Sequence, residues 1–313
     1  MTTSPMSGET VLVTGGRGFI GSHLCRALDE AGCTVHSVSR SAHTQKGSIR
    51  CWKGDLADLG TVRRILSAIR PDLIFHLAGC VSGARDLALV MPALRDNLLS
   101  TVNLLTCVAE IGCRRILLAG SLEEPCQNAS EPVPCSPYAA AKWAAAGYAR
   151  TFHALYKVPV VVSRLFMVYG PGQSDRRKLI PYVILSLLKK EAPQLASGRR
   201  LVDWVYIEDV VEGLLTMANA PEIEGKTIDV GSGTAVSIRE IVERLVRLLA
   251  PDIQPVFGAL PERPLERVRV ANSAEARTLT GWCPHTSLEA GLQETAAWYA
   301  RQLRSQGCGS EQP

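Results

Sequence analysis

No stretch of this 313-residue chain runs for the ~20 uninterrupted apolar residues that a membrane span requires. The first residues, Met1 to Glu9, are polar and lack the apolar core of a secretory signal. No membrane partner is expected, and the chain is expected to be cytoplasmic. Blocks of like charge are missing too: the net charge of +4 is spread along the chain, so no nucleic-acid stripe is predicted. Ten cysteines are scattered at 25, 33, 51, 80, 107, 113, 126, 135, 283 and 308, with no C-x-x-C pair and no His at ligand spacing. That pattern removes the common zinc frameworks and predicts no metal. Reduced, packed thiols are expected, including Cys80, Cys126 and Cys135, which flank the candidate site described below. Neither an internal repeat nor a low-complexity linker is present.

What is there is an ordinary globular composition, 46% apolar and 20% charged, long enough for one large core or two unequal ones. Short β-branched runs at 10–14, 33–38, 49–53, 73–77, 114–119 and 159–165 alternate with helical patterns. This alternation predicts an α/β fold with a doubly wound parallel Rossmann sheet. The expected division is a dinucleotide-binding domain over 1–165 and a smaller substrate-binding region over 166–313. The latter is expected to be interleaved with the first and to return a strand and helix near 201–219 to the sheet. Val236 to Ala250 and Ser287 to Gln302 read as amphipathic helices.

Directly after the run Thr10 to Thr14 comes Gly15-Gly16-Arg17-Gly18-Phe19-Ile20-Gly21, and then a helix-forming segment. Strand, glycine turn and helix together form a dinucleotide site, because Gly15, Gly18 and Gly21 let a pyrophosphate reach the helix N-terminus without a Cβ in the way. An acidic residue at the end of the second strand would select NAD through the ribose 2′-hydroxyl. That acid is lacking: the segment is Ser37-Val38-Ser39-Arg40-Ser41. Ser39 and Arg40 suit the 2′-phosphate of NADP(H), which is the favoured cofactor. NAD(H) remains possible if Arg40 stacks on adenine.

Farther on, Ser136-Pro137-Tyr138-Ala139-Ala140-Ala141-Lys142 places a phenol and an ammonium four residues apart, with Ser136 as N-cap and Pro137 as the first helical residue. A free phenol titrates near ~10, and the Lys142 charge is expected to draw Tyr138 toward neutral pH for proton transfer at an alcohol or ketone.

These segments in this order resemble the extended short-chain dehydrogenase/reductases of the nucleotide-sugar epimerase, dehydratase and ketoreductase group. The resemblance spans nearly the whole chain. It implies that Asp55 and Leu56 contact adenine, and that Leu77, Ala78 and Gly79 of His76-Leu77-Ala78-Gly79 lie beside the cofactor ribose. It also makes Asn97 a structural asparagine, Ser121 the hydrogen-bond partner of the reacting oxygen, and Tyr138 and Lys142 the acid–base pair, with Lys142 reaching the nicotinamide ribose. Glu123 falls where 4,6-dehydratases place a deprotonating Glu, but Leu122 stands in place of the neighbouring acid. Arg263 and Glu266 resemble residues that hold the substrate's diphosphate and ribose. In place of the family's Arg-Asp-Phe the chain has Val202-Asp203-Trp204, so Arg199 or Arg200 is expected to supply the missing phosphate ligand. Met167 replaces the family's usual Asn.

The substrate implied is a nucleotide-diphosphate sugar. The leading expectation is a 4-ketoreductase in which Tyr138 protonates the developing alkoxide; the alternative is a 4-epimerase, or a 4,6-dehydratase, with tightly bound NAD. A non-catalytic NADP-sensing protein is the reading from another class, and such proteins typically lack the Tyr or Lys present here. The resemblance also implies a homodimer formed through helices near 97–109 and 139–156.

Overall fold

The computed structural model describes residues 6–41, 47–125, 132–262, 265 and 267–307. Arg263 and Glu266, together with Cys126 and Cys308, lie outside the described residues. The chain divides into two compact units, Met1–Leu165 with Val211–Val230 and Ala274–Trp282, and Phe166–Val210 with Gly231–Ser273 and Cys283–Pro313.

The first unit is built on a parallel sheet. Its strands are β1 (Thr10–Thr14), β2 (Thr34–Ser39), β3 (Arg50–Lys53), β4 (Leu73–His76), β5 (Arg115–Ser121), β6 (Val160–Leu165) and, after a long excursion, β10 (Thr227–Val230). Their spatial order is β10-β6-β5-β4-β1-β2-β3, all parallel. The order reverses beside β1, so β1 and β4 run side by side and their carboxyl ends open the crevice where such sheets hold ligands. The connecting helices are α1 (Phe19–Glu30), α2 (Leu59–Ile69), α3 (Val90–Ala93), α4 (Ser100–Ile111) and α5 (Pro137–Tyr156). Leu12, Ile74, Leu104, Leu105 and Ile116 form the centre of a core on one side of this sheet.

Between α3 and α4 the segment Leu94–Leu99 winds as a π-helix, a rare turn that is enriched at functional sites. Helix α5 buries Ala139, Ala141, Ala145, Ala146 and Ala149. Small side chains at a contact bring helix axes close, and that closeness brings the polar groups of its first turns to the ends of β5 and β6. Ser136 caps α5 by accepting from the Ala139 amide at 3.1 Å, with Pro137 following it.

The second unit holds β7 (Met167–Tyr169), α6 (Leu179–Leu188), β8 (Gln194–Leu195), β9 (Leu201–Tyr206), β11 (Ala235–Ser237), α8 (Ile238–Leu249), β12 (Val256–Phe257) and α10 (Leu288–Gly307). The remaining helices are α7 (Ile207–Asn219) and α9 (Ser273–Thr280). The strand that joins the large sheet differs from expectation. Leu201–Tyr206 pairs with β7 and β11 in a separate three-stranded sheet, and Thr227–Val230 is the added strand. Four residues running into Gly231-Ser232-Gly233 carry too little periodicity to be told from a turn. Among the described residues no helix is long and apolar enough to cross a membrane.

Candidate active site

The glycine turn between β1 and α1 is packed to its limit. Gly15 sits at φ +72°, and a Cβ there would lie 2.7 Å from the Ala78 amide nitrogen. A Cβ on Gly21 would approach the Gly15 carbonyl oxygen to 2.1 Å. Gly18 caps α1 without any side-chain hydrogen bond, and no acidic residue occupies the first turn, where Phe19 and Ile20 stand. The α1 amides and the positive end of its dipole are therefore offered to an anion from outside the helix. This tight turn, held by glycines whose Cβ atoms would collide with the backbone of the turn and of Ala78, sets an uncapped helix N-terminus that fits the pyrophosphate of a dinucleotide.

His76 closes β4 and is fully buried. Its Nδ1 meets Thr14 Oγ1 at 2.7 Å and its Nε2 meets Thr101 Oγ1 at 3.1 Å. Thr14 Oγ1 accepts from the Ala78 amide, and the Thr101 hydroxyl donates to the Asn97 carbonyl at 2.6 Å. Desolvation, with the Lys142 charge second, pushes the imidazole down to about 3, so it stays neutral. His76 thus works as a pin that ties the Leu77-Ala78-Gly79 turn to the π-helix bearing Asn97. Asn97 donates from Nδ2 to Cys80 and Ala93 carbonyls, and its buried Oδ1 has no partner among the described residues. That orphaned acceptor faces Gly79, whose absent Cβ would also lie 3.8 Å from Lys142 Nζ. A hydroxyl-bearing ligand such as a ribose satisfies an acceptor and an ammonium placed this way.

Ser121, Tyr138 and Lys142 come together at the carboxyl end of β5. The Tyr138 and Ser121 side chains are hydrogen-bonded. Lys142, buried at 6% exposure, donates from Nζ to the Ala119 carbonyl at 2.8 Å. The electrostatics correct the sequence expectation for Tyr138. Burial pushes its phenol above its ordinary value, Glu123, Glu124 and Cys80 push the same way, and only the Ser121 hydrogen bond acts in the opposite sense. Desolvation outweighs the Ser121 hydrogen bond, and the Lys142 ammonium, which donates to the Ala119 carbonyl, does not draw the phenol down, so the phenol is held protonated. Lys142 itself is lowered by desolvation to about 8, with Glu124 opposing the drop.

Glu123 lies beside this group. Its Oε2 accepts from Ser136 Oγ at 3.2 Å and from the Cys135 thiol at 3.7 Å, while its main-chain amide donates to Ser121 Oγ at 3.2 Å. At the opposite edge, Arg40 donates to Asp96 Oδ2 at 3.1 Å, and Arg95 pairs with Asp55 and with Asp96. Ser39 donates its hydroxyl to the Ser41 carbonyl at 2.8 Å. The free guanidinium expected at Arg40 is therefore shared with a carboxylate that the sequence pattern did not single out. Leu56 lies beside this edge in sequence and packs partly buried against the core.

In the second unit Arg199 is exposed, with its amide donating to Ser197 Oγ at 3.3 Å. Asp203, the surviving acid of the altered triplet, is buried and accepts from Ser232, Gly233 and Ala271 amides. It is spent on holding loops together. Residue Glu124 escaped the sequence reading because an acid next to Glu123 in a polar loop reads as solvated.

Residues 11–231 match the model of the NAD dependent epimerase/dehydratase family. The chain is 24% identical to the dTDP-D-glucose 4,6-dehydratase of Mus musculus over 95% of this chain and 90% of the relative. The solved structure of UDP-glucose 4-epimerase from Thermotoga maritima, with UDP-glucose, superposes with a TM-score of 0.84 at 26% identity, covering 94% of this chain and 99% of that one. MoeE5, solved with UDP-glucuronic acid and NAD, gives a TM-score of 0.82 at 31% identity over 93% and 99% of the two chains.

Proposed function

The chain belongs to the NAD dependent epimerase/dehydratase family, and on that premise we propose that this enzyme is a nucleotide-sugar 4-epimerase working with tightly bound NAD. The observation that carries the proposal is the meeting of Ser121, Tyr138 and Lys142 at the end of β5, next to a glycine cradle shaped for a dinucleotide. When bound, the nicotinamide supplies reversible hydride exchange at the sugar carbon. For the oxidation Tyr138 must first give up its own proton, which the positive charges of Lys142 and of a bound oxidised nicotinamide would favour; as a phenolate its Oη takes the proton of the 4-hydroxyl, and it returns that proton as the ketone is reduced. Ser121 Oγ holds the reacting oxygen, and the Lys142 ammonium offsets the charge that develops there.

NAD is favoured over NADP because Asp96 pairs with Arg40, the cation that a 2′-phosphate would call on, and sets a negative charge beside it. MoeE5, similar over nearly its whole length, was solved with NAD. Epimerisation is favoured over dehydration because Leu122 offers no acid to protonate a leaving hydroxyl. Arg199, Arg263 and Glu266 are the residues we assign to the substrate's diphosphate and ribose. A homodimer through the helices near 97–109 and 139–156 also belongs to this reading: Leu99 on the first, and Tyr148, Leu155 and Tyr156 on the second, are exposed apolar side chains that a second copy would cover. A monomer mass in sedimentation would remove that part.

The test is direct. Acid-quenched protein should release nicotinamide, and UDP-glucose, UDP-galactose or UDP-glucuronic acid incubated without added cofactor should interconvert at C4 with no net change in nicotinamide absorbance. One observation favours a second reading, the 4-ketoreductase: a phenol kept protonated is already the form that donates to an alkoxide. That reading takes over if turnover of 4-keto sugars consumes added reduced nicotinamide mole for mole.

A further inference from the structure

Directly behind Ser121 the chain buries a trio of charges that the proposed chemistry does not use. Glu124 has a side chain only 2% exposed. Its Oε1 accepts from the Ser121 amide at 2.7 Å, and its own amide donates back to the Ser121 carbonyl at 3.1 Å. Its Oε2 lies 3.5 Å from Arg164 Nε, and Arg164 Nη1 donates to Asp229 Oδ1 at 2.7 Å. The Arg164 guanidinium thus stands between two carboxylates, leaving this trio with one more negative than positive group. Room for the carboxylate comes from Gly120, where an added Cβ would meet Glu124 Oε1 at 2.7 Å.

A carboxylate is costly to desolvate, and packing one in this spot where an apolar side chain would serve a merely structural purpose calls for a compensating role. Two such roles are visible. The bond to the Ser121 amide sets the main-chain position from which the Ser121 hydroxyl reaches Tyr138. The charge acts on both members of the acid–base pair. Tyr138 is faced by Ser121, Glu123, Glu124 and Cys80, whereas among the described residues the charge opposing desolvation at Lys142 is Glu124, and neutral His76 feels the Lys142 charge.

We infer that Glu124 is a positioning residue of the catalytic centre, its buried carboxylate anchoring the Ser121 main chain and balancing the charge of Lys142. This rests on the acid–base reading above. Glu124→Gln retains an acceptor for the Ser121 amide and deletes the charge; Glu124→Asp retains the charge and shortens the reach. In protein carrying 13C-labelled lysine, the Lys142 ε-carbon signal, identified by its loss in Lys142→Met, should titrate near 8. Glu124→Gln should lower that midpoint by about half a pH unit or more, and Glu124→Asp should leave it near the parent value. The same Gln variant should move the alkaline limb of kcat for UDP-glucose epimerisation downward by a matching amount, with KM and NAD affinity within about twofold of the parent. A Lys142 titration unchanged in Glu124→Gln overturns the inference whatever the substrate proves to be. Tyr138→Phe, assayed alongside, reports on the acid–base reading by itself: full turnover in that variant sinks the underlying mechanism, and its loss together with an unmoved Lys142 midpoint sinks only the role of Glu124.

Discussion

Tyr138 and Lys142 owe their properties to burial more than to each other. A half-buried phenol flanked by Glu123 and Glu124 keeps its proton at neutral pH, so at rest it carries the proton that a developing alkoxide would take. Tyr138→Phe keeps the shape of the ring and removes the proton, and turnover should fall by roughly 10²–10⁴-fold while nicotinamide binding, followed by fluorescence, is retained. Lys142 provides the pH signature. Its ammonium is depressed to about 8, so its charge is complete below that value and is lost as pH rises through it. Activity should therefore decline on an alkaline limb centred near 8, and a profile flat to pH 10 would show that the Lys142 charge is not needed. Spacing alone named both residues, since a Tyr and a Lys four apart share a helix face. The direction of the Tyr138 shift was not legible, because desolvation depends on what the fold stacks over the ring.

At the scale of elements, the turn joining β1 to α1 and the helix α5 do most of the positioning. Gly21→Ala forces a methyl against the Gly15 carbonyl at 2.1 Å, which must open the turn that the α1 amides depend on. Loss of nicotinamide binding with a folded circular-dichroism spectrum is the expected result. The cofactor edge is decided by two elements distant in sequence, the end of β2 carrying Arg40 and the π-helix carrying Asp96. Asp96→Asn should free the guanidinium and raise NADP affinity relative to NAD by about tenfold, an energy in the range of one charge-assisted hydrogen bond. Competitive binding of the two cofactors measures it, and an unchanged ratio would show that Arg40 does not select. The glycine turn was plain in the sequence because strand, glycines and helix follow each other within one local unit. The Arg40 pairing was not, since its partner lies 56 residues away on an irregular turn with no sequence signature.

At the scale of the whole molecule, the chain leaves the large sheet after β6 and returns to add β10 at its edge. Arg115, at the start of β5, helps hold that return: it donates to the Met217 and Ala220 carbonyls at 2.7 and 2.6 Å and pairs with Glu224. Arg115→Met strands two carbonyls and a carboxylate, and urea unfolding should show a loss of about 3 kcal/mol. A loss below about 0.5 kcal/mol would mean that this anchor is dispensable. By itself the sequence determined the parallel α/β sheet and the strand–glycine–helix turn and singled out Tyr138 and Lys142 as a pair, because strand periodicity, glycine spacing and helical spacing are all properties of neighbouring residues; Ser121 entered through the family resemblance. Only the tertiary structure decided that β10 is the added strand, that Asp96 holds Arg40, that Glu124 is buried behind Ser121 and that Tyr138 is held protonated. Each of those outcomes depends on which distant groups the fold desolvates together, and desolvation is a property of packing that no local pattern of residues encodes.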